Sequence, residues 1–256
     1  LGHVRNDLLG AAVSSVLQFG GHKVTRVNLI NDRGIHICKS MLAYELFGEN
    51  ETPESSGMKG DHLVGKYYVR FSQEFAREYK AWLGSDGASA RFEIWKGQLS
   101  EEDADAPDEN LRKRFDKEYE DAYFNAESPL GGSAKEMLVK WEAGDEDVIT
   151  LWKKMNAWVF AGFDETYSRL GVEFDKVYYE SDTYLLGKDV VRQGLEDGKF
   201  HQLEDGAIAC DMEPLGFDSL KILQRRDGTS VYTTQDLGTA LKRFADYDVD
   251  NMVYVV

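Results

Sequence analysis

A glycine and a histidine, Gly2-His3, open an amphipathic stretch in which Val4, Leu8, Leu9, Ala12, Val13, Val16 and Leu17 recur at three- and four-residue spacing. That spacing predicts a helix with one buried face. Gly20-Gly21 closes it, since glycine tolerates the left-handed conformation at helix ends. A helix start exposes unpaired N–H groups and the positive end of the dipole. Gly2 lets an anion approach the backbone closely, and His3 adds a donor at the same place. The chemistry this suits is phosphate binding. Taken alone, the same residues equally describe a frayed helix start with an incidental histidine. A second polar pair, Asn31 and Asp32, follows the apolar run Val24, Val27, Leu29, Ile30. At the carboxyl end of a strand such side chains face a ligand crevice; as turn formers or helix caps they do no chemistry.

The elements that would hold these residues alternate. Residues 23–30 read as a strand, and Asn31-Asp32-Arg33-Gly34 turns the chain into a helix over 35–47. From about 63 to 171 strand signals nearly vanish, and helices are predicted over 63–83, 108–125, 134–143 and 146–170. Trp141, Leu151, Trp152, Met155 and Trp158 are expected in the core of this block. Leu111-Arg112-Lys113-Arg114, the densest basic cluster, reads as a solvated helix face or an RNA contact, and residues 100–107 as an acidic linker or an ordered acidic loop. Strands resume at 176–179, a helix is predicted over 188–197, and short strands follow at 199–203, 207–210 and 220–224. Asp227-Gly228 marks a hairpin turn. Residues 229–238 pass from strand into helix, and Met252-Val253-Tyr254-Val255-Val256 suits a strand buried on both faces. The sum is an α/β sheet interrupted by a mainly helical insertion of about 100 residues.

With 256 residues, 42% of them hydrophobic and 12% aromatic, the chain can bury a substantial core. No apolar run approaches the roughly 18 residues that cross a bilayer, and no signal-peptide pattern opens the chain. Cys38 and Cys210 lack CxxC spacing, which points to a reduced, cytoplasmic protein. The five histidines show no metal-ligand spacing, so no structural metal is expected. A net charge of −16 argues against broad nonspecific nucleic-acid binding while leaving room for a local basic groove.

Taken in order, the motifs resemble arginyl-tRNA synthetase, a class I aminoacyl-tRNA synthetase. Gly2-His3 match the end of the class I His-x-Gly-His signature, and Val4-Arg5 its usual continuation. Asn31-Asp32-Arg33-Gly34-Ile35-His36 stands where many members have Asp-Trp-Gly-x-Gln; Asp32 and Gly34 fit that form. Gly144-Asp145 with Leu151-Trp152, then Phe163, Tyr167 and Leu170-Gly171-Val172-x-Phe174-Asp175, look like the helical insert and its exit. Ser181-Asp182-x-Tyr184, and Asp227-Gly228-Thr229 with Tyr232-x-x-x-Asp236, look like the amino-acid side of the site. The first signature histidine would precede Leu1. The Lys-Met-Ser-Lys-Ser-like loop and the anticodon-binding domain would follow Val256, so a catalytic-domain fragment truncated at both ends is expected.

The resemblance implies a Rossmann-like, HUP-type parallel sheet. Residues 1–48 and 173–256 would form the catalytic domain, and 49–172 the connective insertion. It implies ATP-dependent activation of L-arginine to arginyl-adenylate and transfer to tRNA(Arg), with Mg2+ accompanying ATP, in a cytoplasmic monomer. His3 is then the catalytic residue, a fixed donor to ATP oxygens rather than a general base, with Gly2 beside it. Asp236 would meet the guanidinium in a bidentate pair, each bond contributing about 1.5–3 kcal/mol, and Tyr232 would share its face. Asn31, Asp32, Asp182 and Tyr184 stand between site and scaffold. Alternative expectations are another class I synthetase, a nucleotidyl-transfer relative, or a non-catalytic RNA- or protein-binding fragment.

Overall fold

The computed structural model describes residues 2–100, 103, 105–217, 219–226, 228 and 231–256, without the side chains of Tyr232 and Gln235. It divides into two compact units, one of residues 1–32 and 167–256, the other of residues 33–166.

The first unit begins with helix α1, Gly2–Phe19, which ends where the sequence predicts. Gly21, at φ 89°, donates to Gln18 O, and His22 donates to Leu17 O, the paired bonds of a glycine-terminated helix. Strand β1, Val27–Ile30, pairs in parallel with β2, Lys176–Tyr179, in the register Val27↔Lys176 to Ile30↔Tyr179. Parallel neighbours need a crossover, and here the crossover contains the entire second unit. Arg26 fastens the pair's start: its backbone N–H and guanidinium both donate to Asp175. Helix α10, Glu180–Glu196, follows β2 without a break. A three-stranded antiparallel sheet comes next, β3 His201–Gln202, β4 Ile208–Asp211 and β5 Leu220–Gln224, in the order β3-β4-β5. Helix α11, Tyr232–Asp246, completes the unit. Its core joins Val191 of α10, Ile208 of β4 and Leu223 of β5, with Leu237 of α11 packed against them.

The second unit is all helical among its described residues: α2 Ile35–Phe47, α3 Pro53–Ser56, α4 Gly60–Leu83, α5 Asp86–Lys96, α6 Asp108–Glu118, α7 Glu120–Ala126, α8 Pro129–Glu142 and most of α9, Glu146–Leu170. Local chemistry sets the helix starts. Thr52 and Ser55 form a capping box ahead of α3, Ser85 accepts from Ala88 N at α5, and Ser128 accepts from Gly131 N at α8. Aromatic side chains fill the interior, with Phe92, Leu111 and Phe115 at one centre and Trp82, Trp95 and Tyr119 against them. Trp141 packs edge-on against Trp152, and Met155 is buried, as expected of that stripe. The basic cluster is largely neutralised within its helix: Lys113 pairs with Glu109, and Arg114 with Glu118. No described helix is long and apolar enough to cross a membrane.

Four expectations are corrected. The apolar stripe of α1 is not buried: no residue of this helix is, and Val16 stands 70% exposed. A stripe needs a surface to cover it, and among the described residues the parallel sheet has two strands rather than a broad face. Residues 252–256 form no strand, and Val256 is 90% exposed, because β-propensity without a neighbouring ladder makes no sheet. The helix after β2 starts at Glu180 rather than 188, and α5 occupies a stretch with no predicted helix.

Candidate active site

The carboxyl ends of β1 and β2 lie side by side, and Asp32 is built into that edge. It is 2% exposed, and both carboxylate oxygens are engaged: Ser181 N donates to Oδ1 at 2.8 Å and Ser181 Oγ to Oδ2 at 2.7 Å. Ser181 is the second residue of α10, whose first-turn N–H groups have no intrahelical acceptor. Asp32 therefore caps a helix 149 residues away. The helix that follows it directly, α2, starts from Gly34 without a side-chain cap. Burial pushes the Asp32 carboxyl above its ordinary value, and the two Ser181 bonds oppose that shift. Its lone pairs point at protein donors, so its chemistry here is to hold the strand ends and the helix start together. Asn31, one residue before it, is exposed.

Helix α10 carries Asp182, exposed, and Tyr184, half-buried, in its first turns. Farther along, α10 crosses α11 with their backbones in contact. A Cβ on Gly187 would stand 2.5 Å from Thr234 O, and one on Gly238 would stand 2.6 Å from Gly187 N. Glycine at both positions is what permits this approach. Thr234 is fully buried at the crossing, and its hydroxyl donates to Leu223 O on β5. Asp236 lies two residues on, its side chain in solvent. Residues 232–236 are helical, so positions 232 and 236 share a face; the Tyr232 side chain lies outside the described residues. At its other end α11 is tied to the parallel sheet, since Tyr178 Oη donates to Asp246 Oδ2 at 2.9 Å. Burial, then the hydrogen bond to Asp246, pushes the Tyr178 phenol up to about 12.

The described contacts thus bring together the strand ends at Asp32, the start of α10 and the start of α11. His3 sits apart from that network, exposed in the first turn of α1, where an open hollow runs along Gly2, Val4, Arg5 and Leu8. Burial raises the Asp7 carboxyl, one helical turn from His3, and the His3 charge opposes the rise. The arrangement can present fixed donors at α1 and an exposed carboxylate on α11. Among the described residues no group of three His, Cys, Asp or Glu side chains is placed to hold a metal ion.

Sequence reasoning missed two parts of this scaffold. Ser181 as the partner of Asp32 is a contact between distant residues with no local signal. Gly187 and Gly238 did carry one, since a glycine inside a helical pattern often marks close packing.

The chain is similar to known proteins over its whole length. The family model of class I (R) tRNA synthetase catalytic domains matches residues 1–256. The chain is 52% identical over 256 residues to a protein named arginine–tRNA ligase from Bacteroides fragilis, covering 100% of this chain and 37% of that one. A protein of the same name from Amoebophilus asiaticus is 50% identical, with the same coverage. The crystal structure of arginyl-tRNA synthetase from Plasmodium falciparum aligns over 94% of this chain and 32% of that one, with a TM-score of 0.56 at 18% identity, a likeness of fold. The chain therefore spans a little over a third of the length of the curated relatives it matches. Matched from its first residue to its last, it belongs to the class I (R) tRNA synthetase catalytic-domain family.

Proposed function

We propose that the chain is the catalytic core of an arginine–tRNA ligase. The observation that carries this reading is the identity of about one half, over every residue, to proteins of that name. In the proposed reaction an arginine carboxylate oxygen attacks the α-phosphorus of ATP. The bond to the β-phosphate oxygen breaks, pyrophosphate leaves and arginyl-adenylate forms. A ribose hydroxyl of tRNA(Arg) then attacks the adenylate carbonyl, and AMP leaves. Catalysis of this kind is mainly positioning and charge stabilisation. Gly2 and His3, at the N-terminal end of α1, are the proposed ATP contacts, His3 donating to phosphate oxygens. Mg2+ would arrive on the ATP phosphates and neutralise part of their charge.

Asp236 and Tyr232 are the proposed arginine contacts. An exposed carboxylate on α11 suits a cationic fork, which takes two parallel bonds from one carboxylate. Asn31, Asp182 and Tyr184 border this region, and Asp32 supports it. Residues 1–48 and 173–256 are read as a Rossmann-like, HUP-type domain and 49–172 as its connective insertion; the parallel β1–β2 pair flanking the helices supports this division. The protein is proposed to work in the cytoplasm as a monomer.

Arginine-dependent exchange of pyrophosphate into ATP, measured on the full-length protein with tRNA(Arg) present, tests the reading. Exchange stimulated by arginine and not by lysine or citrulline is expected. Stimulation by another amino acid would move the chain to a different specificity, and no exchange with any amino acid would overturn the catalytic reading.

A further inference from the structure

The connection from Asp32 to the start of α11 runs through three contacts. Asp32 holds Ser181 in the first turn of α10 through two hydrogen bonds. Six residues farther along the chain, Gly187 lies against the backbone of Thr234 and Gly238 on α11. Thr234, held by Leu223 O, sits between positions 232 and 236. Most of the path is buried, Asp32 at 2%, Thr183 at 1%, Thr234 at 0% and Thr239 at 1%, and Ser181 is half-buried. Packed helices in backbone contact shift as bodies rather than bending locally.

Resting on the functional reading above, we propose that Asp32 is a positioning residue of the amino-acid site: through Ser181 it fixes the first turn of α10, and through the Gly187–Gly238 crossing α10 fixes the start of α11, where Tyr232 and Asp236 lie. Asp32 does not touch substrate in this role. It sets how the residues that would do so are placed, while the proposed ATP contacts on α1 lie outside the path.

Asp32→Ala, Asp32→Asn and Ser181→Ala, each made in the full-length protein, test this by two readouts. The first is pyrophosphate exchange with arginine and ATP varied separately. Asp32→Ala is expected to raise KM for arginine about tenfold, as loss of a charge-assisted bond would, and to change KM for ATP by less than about twofold. Asp32→Asn is expected to restore most of the loss. Its amide oxygen still accepts from Ser181 N, and its NH2 can donate to Ser181 Oγ. Ser181→Ala removes one of the two bonds and leaves the backbone bond, so it supplies an intermediate value should Asp32→Ala fail to fold. The second readout is amide hydrogen exchange. Asp32→Ala, or Ser181→Ala in its place, is expected to speed exchange at residues 181–184 and at 232–236, and Asp32→Asn at neither. Equal rises in both KM values, or a lower melting temperature with unchanged KM, would overturn the proposal. Exchange that quickens at 181–184 alone would overturn the coupling to α11. If the wild-type protein shows no arginine-dependent reaction, the functional reading fails, and the hydrogen-exchange pattern still decides the mechanical one.

Discussion

Replacing Gly187 with alanine adds one methyl group where none fits. Its carbon would stand 2.5 Å from Thr234 O, 2.8 Å from Thr234 C and 3.0 Å from Thr234 Cγ2, whereas ordinary contact begins near 3.4 Å. The first two neighbours are backbone, so no rotamer relieves the clash, and α10 and α11 must separate by about 1 Å. Overpacking of this kind costs about 1–3 kcal/mol. Alanine returns up to about 1 kcal/mol through its better helix propensity. From the middle of that cost, about 2 kcal/mol, the net loss is about 1–2 kcal/mol, a fall in Tm of about 2–8 °C. Gly65 provides the control. It lies in the interior of α4, and a Cβ there meets nothing within 4 Å. Gly65→Ala should therefore gain about 0.5–1 kcal/mol. Thermal unfolding of the two variants, followed by circular dichroism, should move in opposite directions. If Gly187→Ala melts at or above the wild-type temperature, the helices do not cross in backbone contact and the argument built on that crossing is wrong.

Asp236→Asn should weaken arginine binding about 10- to 100-fold by calorimetry, the loss of a bidentate charged pair; unchanged affinity would remove Asp236 from the site. Asp32, its carboxyl raised by burial, contributes stability that is complete below its ordinary value of 3.8 and is lost as pH rises through the raised folded value. Asp32→Asn should abolish that dependence. Its urea-unfolding stability relative to wild type should therefore be greatest near neutral pH and shrink as the pH falls towards 3.8; a constant difference would contradict the assigned shift. Burial pushes the Cys38 thiol up to about 11, and only 2% of the residue is exposed. A thiol reagent at pH 8 should label Cys210 promptly and Cys38 only on unfolding; two equally fast thiols would contradict the packing of α2.

What could be read from the sequence alone was what neighbouring residues decide. Strands β1 and β2, helix α2 and the end of α9 at Gly171 follow from apolar runs and punctuating residues within a few positions. The start of α10 did not follow, because Ser181, Asp182 and Thr183 favour turns locally, and the acceptor that stabilises their first turn is Asp32, on another strand. Helix α5 was hidden for a related reason: Gly87 and Ser89 weaken its pattern, while Ser85 caps it and burial of Phe92 holds it. The opposite error fell on residues 252–256 and on α1, whose apolar patterns are genuine but find no cover among the described residues. At the candidate site the residue types suggested phosphate and guanidinium binding. Which of them are buried against the scaffold and which are exposed did not emerge, since Asp32 and Asp236 are both acids beside helix starts and differ only in what surrounds them.

The parallel pair of β1 and β2 joins segments 149 residues apart, as the Arg26–Asp175 link also does. On a ribosome adding about 5–20 residues per second, β1 emerges roughly 7–30 seconds before its neighbour exists. For that interval Val27-Asn28-Leu29-Ile30 lacks its β2 partner, and a strand edge without its partner is open to association with other chains. The helices made in between rely on local contacts and form far faster than this delay. Biogenesis is therefore ordered, with the helices of the second unit formed before β1 and β2 pair, and the β1 edge is exposed to chaperones and aggregation until Tyr179 has been synthesised.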